Sequence, residues 1–535
     1  MKDASFATGF RLELDGGSLG VGDVVRVARG EAECVLSAGT AEKMEASNRL
    51  KHALIGRGIP VYGVTTGFGD SANRQISPSR AAKLQQNQIR FLGNGVGPIS
   101  PPEVTRATML LRANCLAKGN SGVRPELVER LLFYLNNDVL PLIPERGSCG
   151  ASGDLVPLSY VAAVLVGEEE VLHEGRSIDA AEVLAEHGLE PMVLEAKEGL
   201  ALTNGTSFMS AFAALSAWDA AGLTLVADLC TAMTSEALLG NRGHFDAFLQ
   251  EQKPHPGQVE SARVIRDLLA GSGLSRDPEE VLSADALGER SFVELERRVQ
   301  DRYSVRCAPH VVGVLRDTLA WVTRWVGVEI NASDDNPLFD ADGGHVYSGG
   351  NFYGGHIAQA MDSLKIAVAS VADLMDRQLE LVVDEKYNNG LTPNLIPRFD
   401  PDGPEAGLHH GLKGMQLASS AMTAEALKLS NPASVHSRST EAHNQDKVSM
   451  GSIAARDARE IVMLTQNVAA IHLIALCQAL DLRGTEGMSP KTKVAHALVR
   501  SRVPFLDGDR RMEGDVKEIV DLVRSGELRD VVLPI

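Results

Sequence analysis

Five stretches of the chain, Phe208–Leu239, Val311–Ile330, Ile357–Val383, Met415–Ser430 and Ser452–Leu482, are rich in apolar residues and poor in proline and glycine. Inside a helix glycine costs about 1 kcal/mol and proline about 3 kcal/mol relative to alanine, so segments that avoid both are suited to helix. Several outrun the roughly 8–20 residues of an ordinary globular helix. Helices of that length bury their apolar faces side by side, and pockets form from residues on several helices and the loops between them. The expectation is a mainly α protein built on a long-helix bundle. At 535 residues the chain exceeds one compact domain. The boundaries expected are an N-terminal domain over residues 1–207, a central long-helix domain over 208–485 and a C-terminal helical segment over 486–535. Ahead of the long segments the signals are mixed, with short strand-like and helical runs first, then helical patterns through Arg106–Lys118 and Pro125–Asn136. A Gly- and Glu-rich stretch from 166 to 196 suits a small β-hairpin.

A formal net charge of −18 argues against nucleic acid or an anionic membrane as partner. The six cysteines, Cys34, Cys115, Cys149, Cys230, Cys307 and Cys477, show no Cys-x-x-Cys spacing, which favours reduced thiols over a zinc knuckle or disulfide framework. Met1-Lys2-Asp3-Ala4-Ser5 lacks the apolar core of a signal peptide, and charges are expected to interrupt the apolar helices short of membrane-spanning length. A cytoplasmic protein is therefore expected. No metal is expected: His409-His410 has no His-Glu-x-x-His context, and Asp334-Asp335 has no calcium-loop pattern. Gly93-Asn94-Gly95-Val96-Gly97 has neither the spacing nor the preceding strand of a dinucleotide loop.

Chemistry concentrates in Gly150-Ala151-Ser152-Gly153-Asp154. Attack of the Gly153 amide nitrogen on the Ala151 carbonyl carbon closes a five-membered ring through the Ser152 backbone. Loss of the former carbonyl oxygen as one water and of the Ser152 hydroxyl as another leaves a methylidene-imidazolone (MIO), an electrophile that no ordinary side chain supplies. Small neighbours let the backbone fold onto itself, glycine offers its nitrogen without a crowding Cβ, and serine provides the β-leaving group. Read alone, the stretch is equally a turn and helix N-cap ahead of Leu155-Val156-Pro157-Leu158, and for an isolated occurrence that plainer reading is the stronger. A phosphate loop would need Gly-Lys-Ser/Thr here, and Asp154 would repel the anion.

Five further segments occur with it in a fixed order: Tyr62-Gly63-Val64-Thr65-Thr66-Gly67-Phe68-Gly69, Glu198-Gly199-Leu200-Ala201-Leu202-Thr203-Asn204-Gly205-Thr206, Gln300-Asp301-Arg302-Tyr303-Ser304-Val305-Arg306-Cys307, Asp335-Asn336-Pro337-Leu338 and His443-Asn444-Gln445-Asp446. On these the chain resembles, along nearly its whole length, the aromatic amino acid ammonia-lyases and related MIO aminomutases, and most of all the compact bacterial phenylalanine ammonia-lyases. The resemblance implies a long-helix bundle of the ammonia-lyase/fumarase-like type with a smaller mixed N-terminal MIO region. It implies an MIO formed from Ala151-Ser152-Gly153, with no external cofactor, that makes the substrate nitrogen a better leaving group. The substrate would be a small aromatic amino acid, and the protein a homotetramer with composite active sites.

By the same resemblance Tyr62 is the base that takes the β-proton, on the same lid loop as Gly69. A free tyrosine has a pKa of about 10, so Tyr62 needs cationic character or hydrogen bonds nearby to act as phenolate. Arg306 would anchor the substrate carboxylate, since a guanidinium can hold that planar group bidentately. Tyr303 would lie near the MIO and the departing proton, and Asn204 beside the MIO and the amine. Gln300 and Asn336 would be polar supports, and Phe352 would pack on substrate or MIO. Taken singly, a glycine-loop Tyr is an aromatic plug, an Arg a surface charge, Asn-Pro a turn and a Phe a core residue.

Phe91 and Leu92, in Gln88-Ile89-Arg90-Phe91-Leu92-Gly93, correspond by resemblance to the ring-binding positions, where tyrosine- and histidine-selective relatives commonly carry a histidine. Burying a phenol hydroxyl or imidazole nitrogen against an apolar pair costs about 1–3 kcal/mol, which favours phenylalanine. Lys413, Glu441 and Gln445 fit the phenylalanine type as well, whereas Val448-Ser449-Met450-Gly451 looks like the histidine-lyase form. The expected function is deamination of L-phenylalanine to trans-cinnamate and ammonia. The alternatives are a phenylalanine or tyrosine 2,3-aminomutase, a tyrosine or histidine ammonia-lyase and, in a different class, a fumarase-like helical protein without MIO.

Overall fold

The computed structural model describes residues 9–283, 287–295 and 298–532. The Pro- and Gly-poor segments are helices: Ser207–Ala237, Ala308–Glu329, Gly355–Val383, Lys413–Leu429 and Gly451–Arg483. Gly484, at φ 101°, ends the last of these, its amide closing back on the Leu480 carbonyl at 2.9 Å. The Ser207–Ala237 helix buries Phe208, Phe212, Leu215, Leu223, Leu229 and Met233, as expected of a helix that is apolar almost all round. Its Thr231 and Thr234 hydroxyls donate to the carbonyls of Ala227 and Cys230, at 2.8 and 2.7 Å, which satisfies them inside the core. One sequence expectation fails here. Ser207–Ala237 and Gly451–Arg483 are both long and apolar enough to cross a membrane, yet 83% of each apolar window is buried within the protein.

The chain divides into two units. One takes in the chain up to Trp218 with Val322–Asp362 and Pro432–Arg459, and the other Asp219–Trp321, Ser363–Asn431 and the chain from Glu460 on. The first unit opens with strands Phe10–Leu14 and Ala32–Leu36, paired in parallel across the Val21–Ala28 helix. Its Pro102–Ala117 helix is buried on almost every side, which draws Arg112 and Asn114 into the interior and obliges them to find partners there. The expected hairpin is present as Glu170–His173 and Arg176–Asp179, with Leu140–Pro141 added as a third strand. Helices Ala81–Leu92, Leu155–Leu165 and Glu198–Thr203 pack together and carry the candidate site.

The second unit is helical with buried polar ties. Asp228 accepts from Ser261 Oγ at 2.5 Å and Arg316 Nη2 at 2.6 Å, and burial pushes its carboxyl up to about 7 despite Arg316. The Pro490–Arg500 helix has Pro at its first turn and Ser489 as N-cap, whose Oγ accepts from the Thr492 amide at 3.1 Å.

Candidate active site

Ser152 lies in the turn that leads into the Leu155–Leu165 helix. Gly150 and Gly153 both hold φ +68°, and both are hemmed in: a Cβ on Gly150 would lie 2.2 Å from Ser449 Oγ, and one on Gly153 2.0 Å from the Gly205 carbonyl oxygen. The Ser152 carbonyl accepts from Asn204 Nδ2 at 2.8 Å, and the Asp154 amide donates to the Gly205 carbonyl at 2.7 Å. Gln445 Nε2 donates to Ser152 Oγ at 3.0 Å. Among the described residues the Gly153 amide N–H has no acceptor. An unengaged Gly153 nitrogen, two glycines where no Cβ fits and a serine hydroxyl already hydrogen-bonded are what cyclisation of Ala151-Ser152-Gly153 requires, so the residues present fit an MIO.

A buried polar layer supports this turn. Asp154 accepts from Ser148 Oγ at 2.9 Å, from the Met209 amide at 2.8 Å and from Ser452 Oγ, and burial pushes its carboxyl up to about 6. Asn204-Gly205-Thr206 is held from beneath: Arg112 donates to the carbonyls of Asn204 and Ala201 at 2.5 and 3.1 Å, and Asp334 accepts from the Thr206 amide and hydroxyl at 2.7 and 2.8 Å. Arg112 and Asp334 pair with each other. Asp335 accepts from Lys197 Nζ at 2.7 Å and Ser121 Oγ at 3.0 Å, so the adjacent aspartates serve buried cations. Glu329, which takes a 2.7 Å bond from Thr206 Oγ1, is pushed up to about 7 by burial.

The facing wall is made of two loops. The glycines of Tyr62–Gly69 suggest mobility, but the first half of that loop is buried and pinned. Val61 and Gly63 amides donate to Thr65 and Thr66 hydroxyls at 2.9 and 3.0 Å, and Gln85 Nε2 holds the Gly63 carbonyl at 3.1 Å. Gly63 is needed for close approach, since a Cβ there would lie 2.4 Å from Leu200 Cδ2. The Tyr62 hydroxyl accepts from the Gly69 amide at 3.0 Å, and Glu441 accepts from the Asp70 amide at 2.8 Å and Asn444 Nδ2 at 2.7 Å. Burial raises the Tyr62 phenol, the Gly69 amide pulls it back in part, and Glu441 adds to the rise. Glu441, Ala442 and His443 run consecutively at φ 52°, 51° and 65°. Such residues cost about 1–3 kcal/mol each and persist where the surroundings fix them. Here Thr440 and Gln445 clamp the turn with backbone bonds of 3.0 and 3.3 Å.

Floor and wall enclose a cavity of about 710 Å³ lined by Tyr62, Gly69, Phe91, Leu92, Ala151, Ser152, Gly153, Asn204, Asn336, Phe352, Glu441 and Gln445. Leu92 is buried, while Phe91 stands at the rim, 59% exposed. Asn336 Oδ1 accepts from the Gly349 amide at 2.7 Å. The other candidates lie in the second unit. Gln300, Tyr303 and Arg306 line a different cavity of about 860 Å³, and Lys413 is an exposed residue at the start of the Lys413–Leu429 helix. The Arg306 guanidinium stacks over the Tyr303 ring at 4.5 Å, and its Nε has no partner among the described residues. Sequence reasoning did not single out Phe68, Gln88, Leu200 and Asn444 and marked Lys447 only as a departure from the pattern of either lyase type; all five also line the first cavity. Gln88 was legible as the residue one helical turn before Phe91; its Nε2 donates to Thr203 Oγ1 at 3.3 Å.

Residues 19–501 match the family model for aromatic amino acid lyases. A histidine ammonia-lyase of Caldanaerobacter subterraneus subsp. tengcongensis is 40% identical over 98% of this chain and 98% of its own. The crystal structure of the tyrosine aminomutase of Streptomyces globisporus superposes with a TM-score of 0.92 at 38% identity, covering 98% of each chain. The phenylalanine aminomutase of Pantoea agglomerans superposes at 0.90 and 32% identity, covering 96% of this chain and 99% of that one.

Proposed function

The chain belongs to the aromatic amino acid lyases, MIO-dependent enzymes that act on small amino acids, and from that premise we propose that it is a phenylalanine ammonia-lyase releasing trans-cinnamate and ammonia. The reading is carried by the ring end of the first cavity, where Phe91 and Leu92 stand and, among the described residues, no lining residue is a histidine. Gln88 lies close by; Thr203 engages its Nε2, and its buried Oε1, without a partner among the described residues, is the one acceptor there that favours a polar ring instead. Overall identity does not point to phenylalanine, at 40% both to a histidine ammonia-lyase and to a tyrosine 2,3-aminomutase, so the proposal rests on these few side chains.

In this reading the MIO from Ala151-Ser152-Gly153 supplies the electrophile for the substrate amine. Tyr62 takes the β-proton at its phenolic oxygen. Asn204 and Gln445, bonded to the Ser152 carbonyl and hydroxyl, hold the electrophilic turn, and Phe352 packs beside it. Burial and Glu441 raise the Tyr62 phenol and the Gly69 amide offsets this only in part, so a cation has to reach the phenol to make it a base. Arg306, which has no acidic partner among the described residues, suits both that task and the substrate carboxylate, with Gln300 and Tyr303 beside it. A homotetramer with composite sites would bring the Arg306 segment of one copy to the Tyr62 cavity of another. Light scattering tests the assembly, and mixing Tyr62→Phe with Arg306→Gln chains tests the sharing: activity should return if the two residues serve one site from different chains.

The substrate is decided by incubating the enzyme separately with Phe, Tyr and His, following acrylate absorbance and separating β-amino acids by chromatography. Cinnamate from Phe as the main product supports the proposal, and urocanate from His would replace it with the histidine reading. The similarity to two aminomutases gives specific weight to a second reading, a phenylalanine 2,3-aminomutase, which would accumulate β-phenylalanine.

A further inference from the structure

Beneath the Ala151-Ser152-Gly153 turn, Arg112 and Asp334 form an ion pair whose side chains are 0% and 4% exposed. Burying two ions costs each its hydration, and such pairs are weak contributors to stability. Their bonds converge on one peptide segment: Arg112 donates to the Asn204 carbonyl at 2.5 Å, and Asp334 accepts from the Thr206 amide at 2.7 Å. The same segment carries the turn, through Asn204 Nδ2 to the Ser152 carbonyl at 2.8 Å and the Asp154 amide to the Gly205 carbonyl at 2.7 Å. No slack separates the pair from the turn. A Cβ on Gly205 would lie 2.6 Å from the Arg112 guanidinium, and one on Gly153 would lie 2.0 Å from the Gly205 carbonyl oxygen.

We infer that Arg112 and Asp334 are positioning residues for ring closure, acting through the Asn204–Thr206 peptide to hold the turn in the geometry that cyclises. The inference rests on the MIO reading above. In the reaction the Gly153 nitrogen forms a bond to the Ala151 carbonyl carbon. That carbonyl oxygen leaves as water with the hydrogens formerly on the Gly153 and Ser152 nitrogens. The Ser152 hydroxyl then leaves as a second water with the Ser152 Cα hydrogen, and no oxidant or reductant is involved. Fixing the Ser152 carbonyl on one side and the Asp154 amide on the other leaves the Gly153 nitrogen one path, toward Ala151. The Asn204 bond to the Ser152 carbonyl also draws electron density away from the Cα–H bond that must break.

The test is intact-mass measurement of full-length wild type, Ser152→Ala, Asp334→Asn and Arg112→Lys, with circular dichroism, thermal melts and turnover per dehydrated chain. Asp334→Asn and Arg112→Lys should fold yet leave the fraction of chains at full mass about tenfold higher than in wild type, the loss of one charge-assisted hydrogen bond. The chains that do dehydrate should turn over at the wild-type rate. A purely structural pair would lower the melting temperature while every chain still lost two waters, and that result overturns the inference, as does failure of both variants to fold. Wild type at full mass would instead remove the MIO reading itself. Dehydrated wild type beside equally dehydrated variants removes only the positioning role.

Discussion

The floor and the wall of the first cavity are built on opposite principles. The floor, Ser152 over Asn204-Gly205-Thr206, rests on buried charges, and Gly153 and Gly205 fit where no Cβ would. The wall, Tyr62 and Gly69 against Glu441, ends in exposed residues and is joined by a carboxylate taking one backbone amide and one side-chain amide. A site without slack suits a covalent event that happens once per chain. A few exposed hydrogen bonds suit a group that must be reset every turnover, since such segments open at low cost. Changes to the floor should therefore act on whether the enzyme matures, and changes to the wall on how fast and at what pH it works.

The largest effect should come from Ser152→Ala. Without a β-hydroxyl no methylidene can form, so the chain should fold, keep its full mass and lose nearly all activity. A dehydrated or active variant would break the comparison at the floor. Tyr62→Phe should leave the mass of two waters missing while slowing turnover by about 100-fold or more, the lower range for a positioned proton-transfer group. Near-normal turnover would take the base role from Tyr62. Glu441→Gln sharpens the same point by degree. The Glu441 charge helps to hold the Tyr62 phenol up, so its removal should move the ascending limb of the kcat profile to lower pH with dehydration unaffected. A limb that stays in place would separate Glu441 from Tyr62.

The floor and wall differ in legibility too. Ala151-Ser152-Gly153 could be named from the chemistry of its own residues and Tyr62, Asn204, Asn336, Phe352, Glu441 and Gln445 from the family resemblance, and all line one cavity. The five long helices were equally plain, since avoidance of proline and glycine is a local signal. What holds the floor was not. Arg112 and Asp334 are 222 residues apart, and a lone charge in a sequence reads as surface until the fold supplies its partner. Asp334 invited only the question of a metal, as the first half of Asp334-Asp335. The left-handed run at Glu441, Ala442 and His443 carries no glycine to announce it and is set by the clamp between Thr440 and Gln445. Gln300, Tyr303, Arg306 and Lys413 came from the family resemblance, and the fold places them in the second unit, where their role depends on assembly.

At the ring end of the cavity the expected effect is intermediate. Phe91→His should raise use of tyrosine relative to phenylalanine, because an imidazole can satisfy the phenol hydroxyl that Phe91 and Leu92 leave unpaired. The change in relative kcat/KM should be about 1–3 kcal/mol if the imidazole reaches the ring. An unchanged ratio, measured with both amino acids on wild type and variant, would mean that Phe91 at its exposed rim position does not meet the ring, and would remove the main reason for naming phenylalanine.

The smallest effect returns to the floor and concerns stability. Asp154 and Glu329 are pushed up to about 6 and about 7 by burial, from ordinary values of 3.8 and 4.5. Between those limits the folded chain holds protons that the unfolded chain has released, so the stability they lend is present at the acid end and is lost as pH rises through the raised values. One pKa unit corresponds to about 1.4 kcal/mol, which puts each contribution on the order of a few kcal/mol as an upper bound. The carboxylates held low by arginine, such as Glu168 and Glu260, titrate in the opposite sense below 4.5; between pH 5 and pH 8 Asp228, pushed up to about 7, adds to the two floor acids, and His472, pushed down to about 3 by burial, opposes the three. Thermal melts should therefore fall by a few degrees from pH 5 to pH 8, and Glu329→Gln, which keeps an acceptor for the Thr206 hydroxyl but cannot ionise, should flatten the upper part of that slope. A slope unchanged in Glu329→Gln would show that this carboxyl is ionised across the range, and the floor would then hold a further buried negative charge that acts on Asp334 and Asp154 in turn.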